Sequence, residues 1–210
     1  MAEFTFYTVA MSRGQISRWA LHEAGADYEH VVFDWATRPE SFRTINPMNK
    51  VPALVHHHGG HDHIVTECAA INHYLAEAHP QKGLLPDAHE KAAYFRWLFF
   101  AAGPLEQAVV AQAMGWQVPE GKTGMAGFGS LELTLDALDS WLSANDFVAG
   151  SRFTMADTYV GSQFVWGLRF GSIPERPSFR AYVERITQRP AYAEANAIDA
   201  KIIAAARTTA

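Results

Sequence analysis

Two short segments of this sequence carry residue types that suit the binding of a small peptide-like molecule. Val51-Pro52 opens the apolar run Val51 to Val55, and proline belongs at the start or edge of a strand because it has no N–H to donate. A cis peptide is tolerated at such a corner, and it would leave the backbone of Val51 free to pair with an extended ligand. Glu67-Cys68 stands at the start of an amphipathic helix, where unpaired N–H groups favour a carboxylate. The two segments predict a backbone clamp and an anion pocket.

The elements that must position these segments alternate between strands and helices. Aromatic and β-branched residues predict a strand over residues 4–9, and apolar residues at helical spacing predict a helix over 15–24. Gly59-Gly60 separates two strand-like runs and predicts a hairpin. The expected order is β-α-β-α-β-β-α, with strands at 4–9, 28–33, 51–57 and 61–65 and helices at 15–24, 38–45 and 66–78.

The chain changes character after this first half. His79 to Asp87 contains two prolines and a glycine, which predicts a linker. The remaining sequence predicts helices at 88–114, 127–143, 155–170, 178–188 and 190–206. Thr154 and Asp157 fit a capping box at the start of one of them. We therefore expect an α/β domain over residues 1–79 and an all-α helical-bundle domain over 88–210.

Composition excludes several classes of protein. Of the 210 residues, 49% are hydrophobic and 19% are charged, which is typical of folded globular proteins and not of disordered ones. The net charge of −5 argues against a nucleic acid or an anionic membrane as the partner. The single cysteine excludes an intramolecular disulfide and favours a reducing compartment. With neither a signal-peptide pattern nor an apolar run of ~18 residues, we expect a cytoplasmic protein.

Three blocks of the sequence resemble the cytosolic glutathione S-transferases, in particular their bacterial-type members. The blocks are NPMNKVPAL at 46–54, TECAAI at 66–71 and FVAGSRFTMAD at 147–157, and their order and spacing extend over both halves of the chain. The resemblance implies a thioredoxin-like N-terminal domain followed by a helical domain. It also implies a homodimer that conjugates glutathione to a small hydrophobic electrophile.

The resemblance assigns glutathione contacts to particular residues. In the family, the residue before the cis-proline pairs through its backbone with the cysteinyl unit, which gives that role to Val51. The acidic residue and its neighbour at the helix start hold the γ-glutamyl end, here Glu67 and Cys68, and Lys50 matches a position that contacts the glycine carboxylate. Cys68 stands where serine is usual and Asn49 where glycine is usual. Because a thiol is a weaker donor than a hydroxyl, the Cys68 contact would rest more on its backbone N–H.

The chemistry implied is the stabilisation of a thiolate. Moving a thiol pKa from ~8.5 to ~6.5 takes roughly 2.7 kcal/mol of preferential thiolate stabilisation, which one hydroxyl donor and a helix N-terminus can supply. Ser12 lies in the loop before the first helix, as the catalytic serine does in serine-type classes, and is the first candidate donor. Tyr7 is the second, since a tyrosine precedes the catalytic cysteine by the same interval in the bacterial beta class. The alternatives are a helix-cap hydroxyl for Ser12 and a core aromatic for Tyr7.

An apolar electrophile pocket is expected between the two domains, where ligand cavities tend to form. Glu106 resembles by position a polar residue that lines this pocket in the beta class, and Trp116 in the following loop is placed to cap it. Phe100 and Gly103 belong to the preceding aromatic-rich helix, which Gly103-Pro104 is expected to kink. For each aromatic residue the competing hypothesis is a place in the core.

Five clustered histidines raise the question of a metal site, since imidazole is the commonest metal ligand. They are His56, His57, His58, His61 and His63. Strand alternation points His57 away from its two neighbours, and the segment contains no interleaved cysteine. The sequence therefore predicts an exposed polar hairpin and no metal.

Three functions remain open on this fold. The first is conjugation of glutathione to an electrophile, and the second is a glutathione-dependent peroxidase, isomerase or dehalogenase that uses the same thiolate. The third is a catalytically silent glutathione-binding regulatory protein, because fold alone does not decide function. Retention of Ser12, Val51, Pro52 and Glu67 favours an enzyme.

Overall fold

The computed structural model describes residues 2–36 and 38–208. Within these ranges the chain packs into two compact units. The first consists of the residues up to Leu85 together with the final helix, and the second is Pro86–Thr187.

The first unit is built on a four-stranded mixed sheet. Its strands are β1 (Phe4–Val9), β2 (Tyr28–Phe33), β3 (Ala53–His58) and β4 (His61–Thr66), in the order β2-β1-β3-β4. β1 pairs in parallel with β2 and antiparallel with β3, and β3 pairs antiparallel with β4. Phe4 and Phe6 of β1 are fully buried because this strand lies inside the sheet. The thioredoxin-like α/β fold expected from the sequence is confirmed.

Two of the predicted helices accompany this sheet and one does not form as expected. The helices are α1 (Gly14–Ala24) and α2 (Cys68–Ala78), joined by a hydrogen bond of 3.2 Å from Ser17 Oγ to Asn72 Oδ1. The helix predicted over 38–45 is instead a 3-10 turn, Glu40–Thr44. Prolines at 39 and 47 bracket it, and the second of them disfavours helical backbone at the residue before it, so the turn is not extended into a helix. A second 3-10 turn, Pro80–Lys82, follows α2.

The final helix, α8 (Pro190–Thr208), packs in the first unit. Its Tyr192 ring lies 5.0 Å from that of Trp19, Arg189 pairs with Glu23 at 2.6 Å, and Asp199 forms a buried ion pair with Arg18 on α1. The domain expected over 88–210 therefore differs at its C-terminal end. Helical periodicity marks an apolar face on α8, but it does not say which partner covers that face.

The second unit is helical. Its elements are α3 (Lys91–Phe100), a π-helical turn (Ala101–Leu105), α4 (Glu106–Ala113), a 3-10 turn (Thr123–Met125), α5 (Leu131–Leu142), α6 (Met155–Phe170) and α7 (Pro177–Thr187). The predicted helix 88–114 is thus interrupted at Gly103-Pro104, where proline has no N–H for the ladder. α5 begins later than predicted because Ser130 caps it, accepting from the N–H of Leu133.

The capping box predicted at the start of α6 is confirmed, and it is buried. Asp157 is 0% exposed and accepts from the N–H and hydroxyl of Thr154, the N–H of Val148 and the hydroxyl of Tyr182, at 2.8 to 3.0 Å. Burial outweighs these donors and raises the pKa of Asp157 to about 6.

Within residues 2–36 and 38–208, no helix combines the length and the apolar character that crossing a bilayer requires.

Candidate functional site

The sheet register brings the predicted segments to one edge of the first unit. Tyr7 pairs with Ala53, and Ala53 pairs with Thr66, so these three residues form one row across β1, β3 and β4. Beyond this row, at the same edge, lie the loop after β1, the loop before β3 and the start of α2. Ser12, Val51 and Glu67 occupy these three positions.

Val51 precedes a strand start that matches the predicted clamp. The Val51-Pro52 peptide is cis, Pro52 is buried and Val51 is half-buried. The β3 ladder begins at Ala53, so the backbone of Val51 lies outside the sheet pairing.

The loop before Val51 is held by side chains that the sequence did not single out. Asn46 donates from Nδ2 to the carbonyl of Lys50 at 2.8 Å, and Arg38 donates from Nη1 to the carbonyl of Asn49 at 2.5 Å. Asn49 has φ +53°, which explains why glycine is usual there and why asparagine, tolerant of this region, can replace it. The Lys50 side chain is exposed at the end of this loop. No sequence pattern identifies Arg38, because its partner is a backbone carbonyl eleven residues away.

The start of α2 contacts the start of α1. Cys68 is buried, and its thiol donates to the carbonyl of Arg13 at 3.5 Å. Glu67 adopts φ +67° and its side chain is exposed. The N–H groups of the first helical turn therefore lie beside the Ser12 loop, with their positive dipole end at the same edge.

Ser12 is 5% exposed and has two hydrogen bonds in its own loop. Its hydroxyl donates to the carbonyl of Val9 at 2.7 Å and accepts from the N–H of Gly14 at 3.1 Å. The second bond pairs an N–H at the start of α1. This is the helix-capping role that is the alternative to a catalytic role for Ser12. The hydroxyl proton is directed at Val9 in this arrangement.

Gly14 is required by the close approach of α1 to β1. A Cβ at this position would lie 1.9 Å from Thr8 Oγ1 and 3.1 Å from Ser12 Oγ. We expect Gly14→Ala to lower the free energy of unfolding by about 2 kcal/mol through overpacking, as measured by urea denaturation. We expect Thr8→Ala to relieve part of this clash, because it removes the Thr8 hydroxyl. The Thr8 Cβ remains, and it would lie 2.9 Å from the new Cβ at position 14.

Gly103→Ala is the matched control for this substitution. A Cβ at Gly103 would meet no atom within 4 Å among the described residues, so we expect a change of less than about 1 kcal/mol, in the stabilising direction. Equal effects of the two substitutions would contradict the assigned role of Gly14.

Tyr7 and Thr8 are neighbours on β1, so their side chains project from opposite faces of the sheet. Thr8 lies against Gly14, and Tyr7 projects from the face opposite to it. The Tyr7 ring packs 5.8 Å from Phe33 and 5.3 Å from Phe42. Burial, followed by the carboxylates of Asp62 and Glu29, raises the pKa of Tyr7. These contacts are those of a packed aromatic residue, which is the alternative to a catalytic role for Tyr7.

The second unit contains an apolar cavity of about 470 Å³. Its apolar lining is Ala102, Val110, Ala111, Trp116, Val118 and Phe128, and its polar lining is Glu106, Gln107 and Gln117. Of the four predicted pocket residues, Glu106 and Trp116 line this cavity. Phe100 and Gly103 are not among the described residues that form its wall. The Phe100 ring instead packs with its centroid 5.2 Å from that of the Trp97 ring.

Helical spacing from Glu106 indicates two further lining residues, Ala102 and Val110. Ala102, Glu106 and Val110 recur every four residues, which places them on one face of the helical path. The loop residue Phe128 has no such signal. Tyr159, whose hydroxyl donates to Glu106 Oε2 at 3.0 Å, lies on another helix.

The histidine-rich hairpin is only partly the exposed surface expected. His58, His61 and His63 are exposed. His56 is buried, stacks 4.3 Å from the Phe4 ring and bonds Tyr74 Oη through Nδ1 at 2.9 Å, so the expectation of exposure is wrong for this residue. Burial lowers the pKa of His56. In the part of the chain that the structure describes, no group of three or more acidic, histidine or cysteine side chains is arranged to hold a metal ion.

Comparison with known proteins decides the family. Residues 2–77 match the family described as "Glutathione S-transferase, N-terminal domain", and residues 105–190 match "Glutathione S-transferase, C-terminal domain". The chain belongs to the glutathione S-transferase family. The resemblance drawn from the three sequence blocks is thus confirmed.

Relatives within the glutathione S-transferase family have different named activities. Glutathione S-transferase 3 of Zea mays is 28% identical over 91% of this chain and 92% of its own length. Maleylacetoacetate isomerase of Rattus norvegicus is 32% identical over 73% of this chain and 72% of its own length. A sphingomonad glutathione S-transferase solved in complex with glutathione has a TM-score of 0.74 and 28% identity, and the match covers 93% of this chain and 98% of that one.

Proposed function

We propose that this member of the glutathione S-transferase family conjugates glutathione to a small hydrophobic electrophile, acting in the cytoplasm as a homodimer. The observation that carries the proposal is the meeting of Ser12, Val51 and the Glu67-Cys68 helix start at one edge of the sheet. Support for a second copy as partner comes from Phe95 and Phe99 on α3, which are stacked and 36% and 65% exposed.

In this proposal, glutathione binds along the edge as an extended peptide. The backbone of Val51 pairs with the cysteinyl unit, as in an added strand. The N–H groups at the start of α2 take the γ-glutamyl carboxylate, and Glu67 takes the neighbouring amino group. Lys50 pairs with the glycine carboxylate. Since the Cys68 thiol is already bonded to the Arg13 carbonyl, its contribution to glutathione is a backbone N–H.

Ser12 and the N-terminus of α1 stabilise the thiolate in this mechanism. The Ser12 hydroxyl must turn from the Val9 carbonyl, where it now donates, toward the sulfur. The thiol proton passes to solvent, the sulfur forms a bond to the electrophilic carbon, and the leaving group departs with the bonding electrons. This rotation of the hydroxyl replaces a neutral acceptor, the Val9 carbonyl, with an ionised acceptor, the thiolate. The rotation is favoured because hydrogen bonds to charged groups are stronger.

The test is a pH titration of thiolate ultraviolet absorbance for glutathione bound to the wild type, Ser12→Ala and Tyr7→Phe. We expect the wild type to lower the pKa of the bound thiol by roughly 2 units from ~8.5. We expect Ser12→Ala to reverse about 1 unit of that shift and to reduce kcat/KM with an activated aryl chloride about tenfold. Tyr7→Phe, the matched removal of a hydroxyl, is expected to leave the thiol pKa unchanged.

Other outcomes would each remove a different part of the proposal. A bound thiol with an unshifted pKa would indicate a silent glutathione-binding protein. A shift that persists in Ser12→Ala would leave Ser12 with its capping role alone. Absence of glutathione binding would overturn the roles given to Lys50, Val51, Pro52, Glu67 and Cys68.

A glutathione-dependent isomerase is the second candidate function. It is favoured by the 32% identity to the rat maleylacetoacetate isomerase, and it would use the same thiolate. The two reactions are distinguished by product analysis, because isomerisation returns glutathione unchanged whereas conjugation consumes it. Peroxidase and dehalogenase chemistry are distinguished in the same assay by formation of oxidised glutathione and by release of halide.

A further inference from the structure

The two peptide groups that precede Val51 are each held by a side-chain donor. Arg38 Nη1 donates to the carbonyl of Asn49 at 2.5 Å, and Asn46 Nδ2 donates to the carbonyl of Lys50 at 2.8 Å. Because a peptide group is planar, holding its carbonyl also fixes the direction of the N–H that follows. Arg38 therefore orients the peptide that joins Asn49 to Lys50. Asn46 orients the next peptide, which contains the N–H of Val51.

Asn49 is the residue at which this loop departs from ordinary backbone. Its φ of +53° lies in the left-handed region, which is unfavourable for a residue with a Cβ, although asparagine tolerates it better than most. Its Oδ1 and the Nε of Arg38 are buried and have no hydrogen-bond partner among the described residues. Buried unpaired polar atoms also cost free energy. Such costs persist where the surrounding structure imposes them, and they concentrate at binding and catalytic sites.

Arg38 contacts this loop from outside it. The residue is half-buried and precedes the 3-10 turn Glu40–Thr44, whereas Asn46 belongs to the loop that it holds. The bond from Arg38 to Asn49 spans eleven residues and ties the loop to the segment that follows β2. Without this bond, the peptide after Asn49 can rotate, and the left-handed conformation loses a contact that holds it.

We propose, resting on the proposed transferase function, that Arg38 is a positioning residue for glutathione binding. It acts through the loop, because its bond to Asn49 keeps the backbone of Val51 in one orientation toward the cysteinyl unit. An extended ligand pairs with such a backbone as an added strand. A backbone that is already ordered binds more tightly, because less conformational entropy is lost on binding.

A neutral analogue of glutathione separates this role from a direct contact between Arg38 and the ligand. In glutathione amide the glycine carboxylate is replaced by a carboxamide, whereas the cysteinyl unit that pairs with Val51 is unchanged. Calorimetric titration measures the affinity of both peptides for the wild type and for Arg38→Met. We expect Arg38→Met to raise both dissociation constants by the same factor, about tenfold. Weakening of glutathione alone would indicate a contact with the glycine carboxylate and overturn the proposal, as would unchanged affinity for both.

Arg43→Met is the matched control for the loss of a positive charge from the same segment. Arg43 Nη1 donates to the carbonyl of Pro47 at 3.2 Å, and its Nε pairs with Glu40 at 2.8 Å. This carbonyl lies two residues before that of Asn49, so we expect Arg43→Met to weaken either peptide by less than about threefold. Equal weakening in Arg38→Met and Arg43→Met would mean that the charge, and not the bond to Asn49, is responsible.

Backbone NMR relaxation tests the loop without a ligand, which keeps this proposal distinguishable from the proposed function. We expect the N–H order parameters of Lys50 and Val51 to be about 0.85 in the wild type, as in rigid backbone, and to fall below about 0.6 in Arg38→Met. Those of β3 should keep their wild-type values, which shows that the variant is folded. Unchanged order parameters at Lys50 and Val51 would overturn the role of Arg38. An ordered wild type that binds neither peptide would instead refute glutathione binding.

Discussion

Replacing Arg18 with methionine is expected to lower the free energy of unfolding by about 3–5 kcal/mol, because it leaves a buried carboxylate without a counter-ion. Arg18 is 0% exposed, and its Nε donates to Asp199 Oδ1 at 2.8 Å. Its Nη1 donates to the Tyr28 hydroxyl at 3.0 Å and lies 3.1 Å from His30 Nδ1. Burial raises the pKa of Asp199 against the opposing effect of Arg18, so the carboxylate is already poorly solvated with its partner present.

Because the ion pair joins α1 to α8, we expect the loss of stability in Arg18→Met to affect α8 first. Amide exchange should accelerate in α8 before it does in the sheet, because Asp199 is the buried anchor of this helix. The double variant Arg18→Met with Asp199→Leu is expected to recover most of the loss, since an apolar pair of similar volume replaces two desolvated charges.

An exposed pair serves as the control. Arg180 and Glu175 are 68% and 65% exposed, and Arg180→Met is expected to change stability by less than about 1 kcal/mol. The measurement is urea denaturation of all four proteins. A loss in Arg18→Met no larger than that in Arg180→Met would mean that the buried pair contributes nothing to holding α8.

Asp157 is expected to make the protein less stable as pH rises from about 4 to about 6. Burial raises the pKa of this carboxyl from 3.8 to about 6 in the folded state. Between these values the folded state keeps a proton that the unfolded state has released, so raising the pH favours unfolding. The interval corresponds to about 3 kcal/mol at 1.36 kcal/mol per pKa unit, and the effect of this group levels off about one pH unit above the folded-state pKa.

The effect is isolated by subtracting the stability of Asp157→Asn, which has a similar shape and does not titrate. Urea denaturation at several pH values should show the difference between wild type and variant shrinking toward pH 6. Asp146→Asn, which removes an exposed carboxylate of the same unit, is expected to keep the wild-type slope. A difference that grows with pH would mean that the four donors outweigh burial, and an NMR titration of the Asp157 carboxyl would then give a pKa below 3.8.

Local spacing in the sequence determined the elements of this protein. The predicted bounds of β1 and β2 are those of the structure, because alternation and chain breakers act over neighbouring residues. The hairpin at Gly59-Gly60 and the Thr154 capping box also form where the sequence predicted them, although the two strands of the hairpin differ from their predicted bounds at one or both ends. The helix predicted at 38–45 fails because flanking prolines override a weak helical spacing.

The sequence also indicated where the residues of the candidate site lie relative to the strands and helices. Val51 at a strand start and Glu67 at a helix start follow from residue types, and antiparallel pairing of β3 with β1 and β4 places them at one edge. The local sequence does not determine the hydrogen-bond partners of the residues at that edge. The Ser12 hydroxyl donates to Val9, and the Cys68 thiol donates to Arg13.

Only the tertiary structure decided which distant side chains meet. It set α8 against α1 through Arg18 and Asp199, and it brought Tyr159 to Glu106 across 53 positions of sequence. Periodicity states that a face will be buried but not what will cover it, since hydrophobic burial is not directional. Partner choice is fixed when the chain packs, and the polar partners of buried charges are fixed with it.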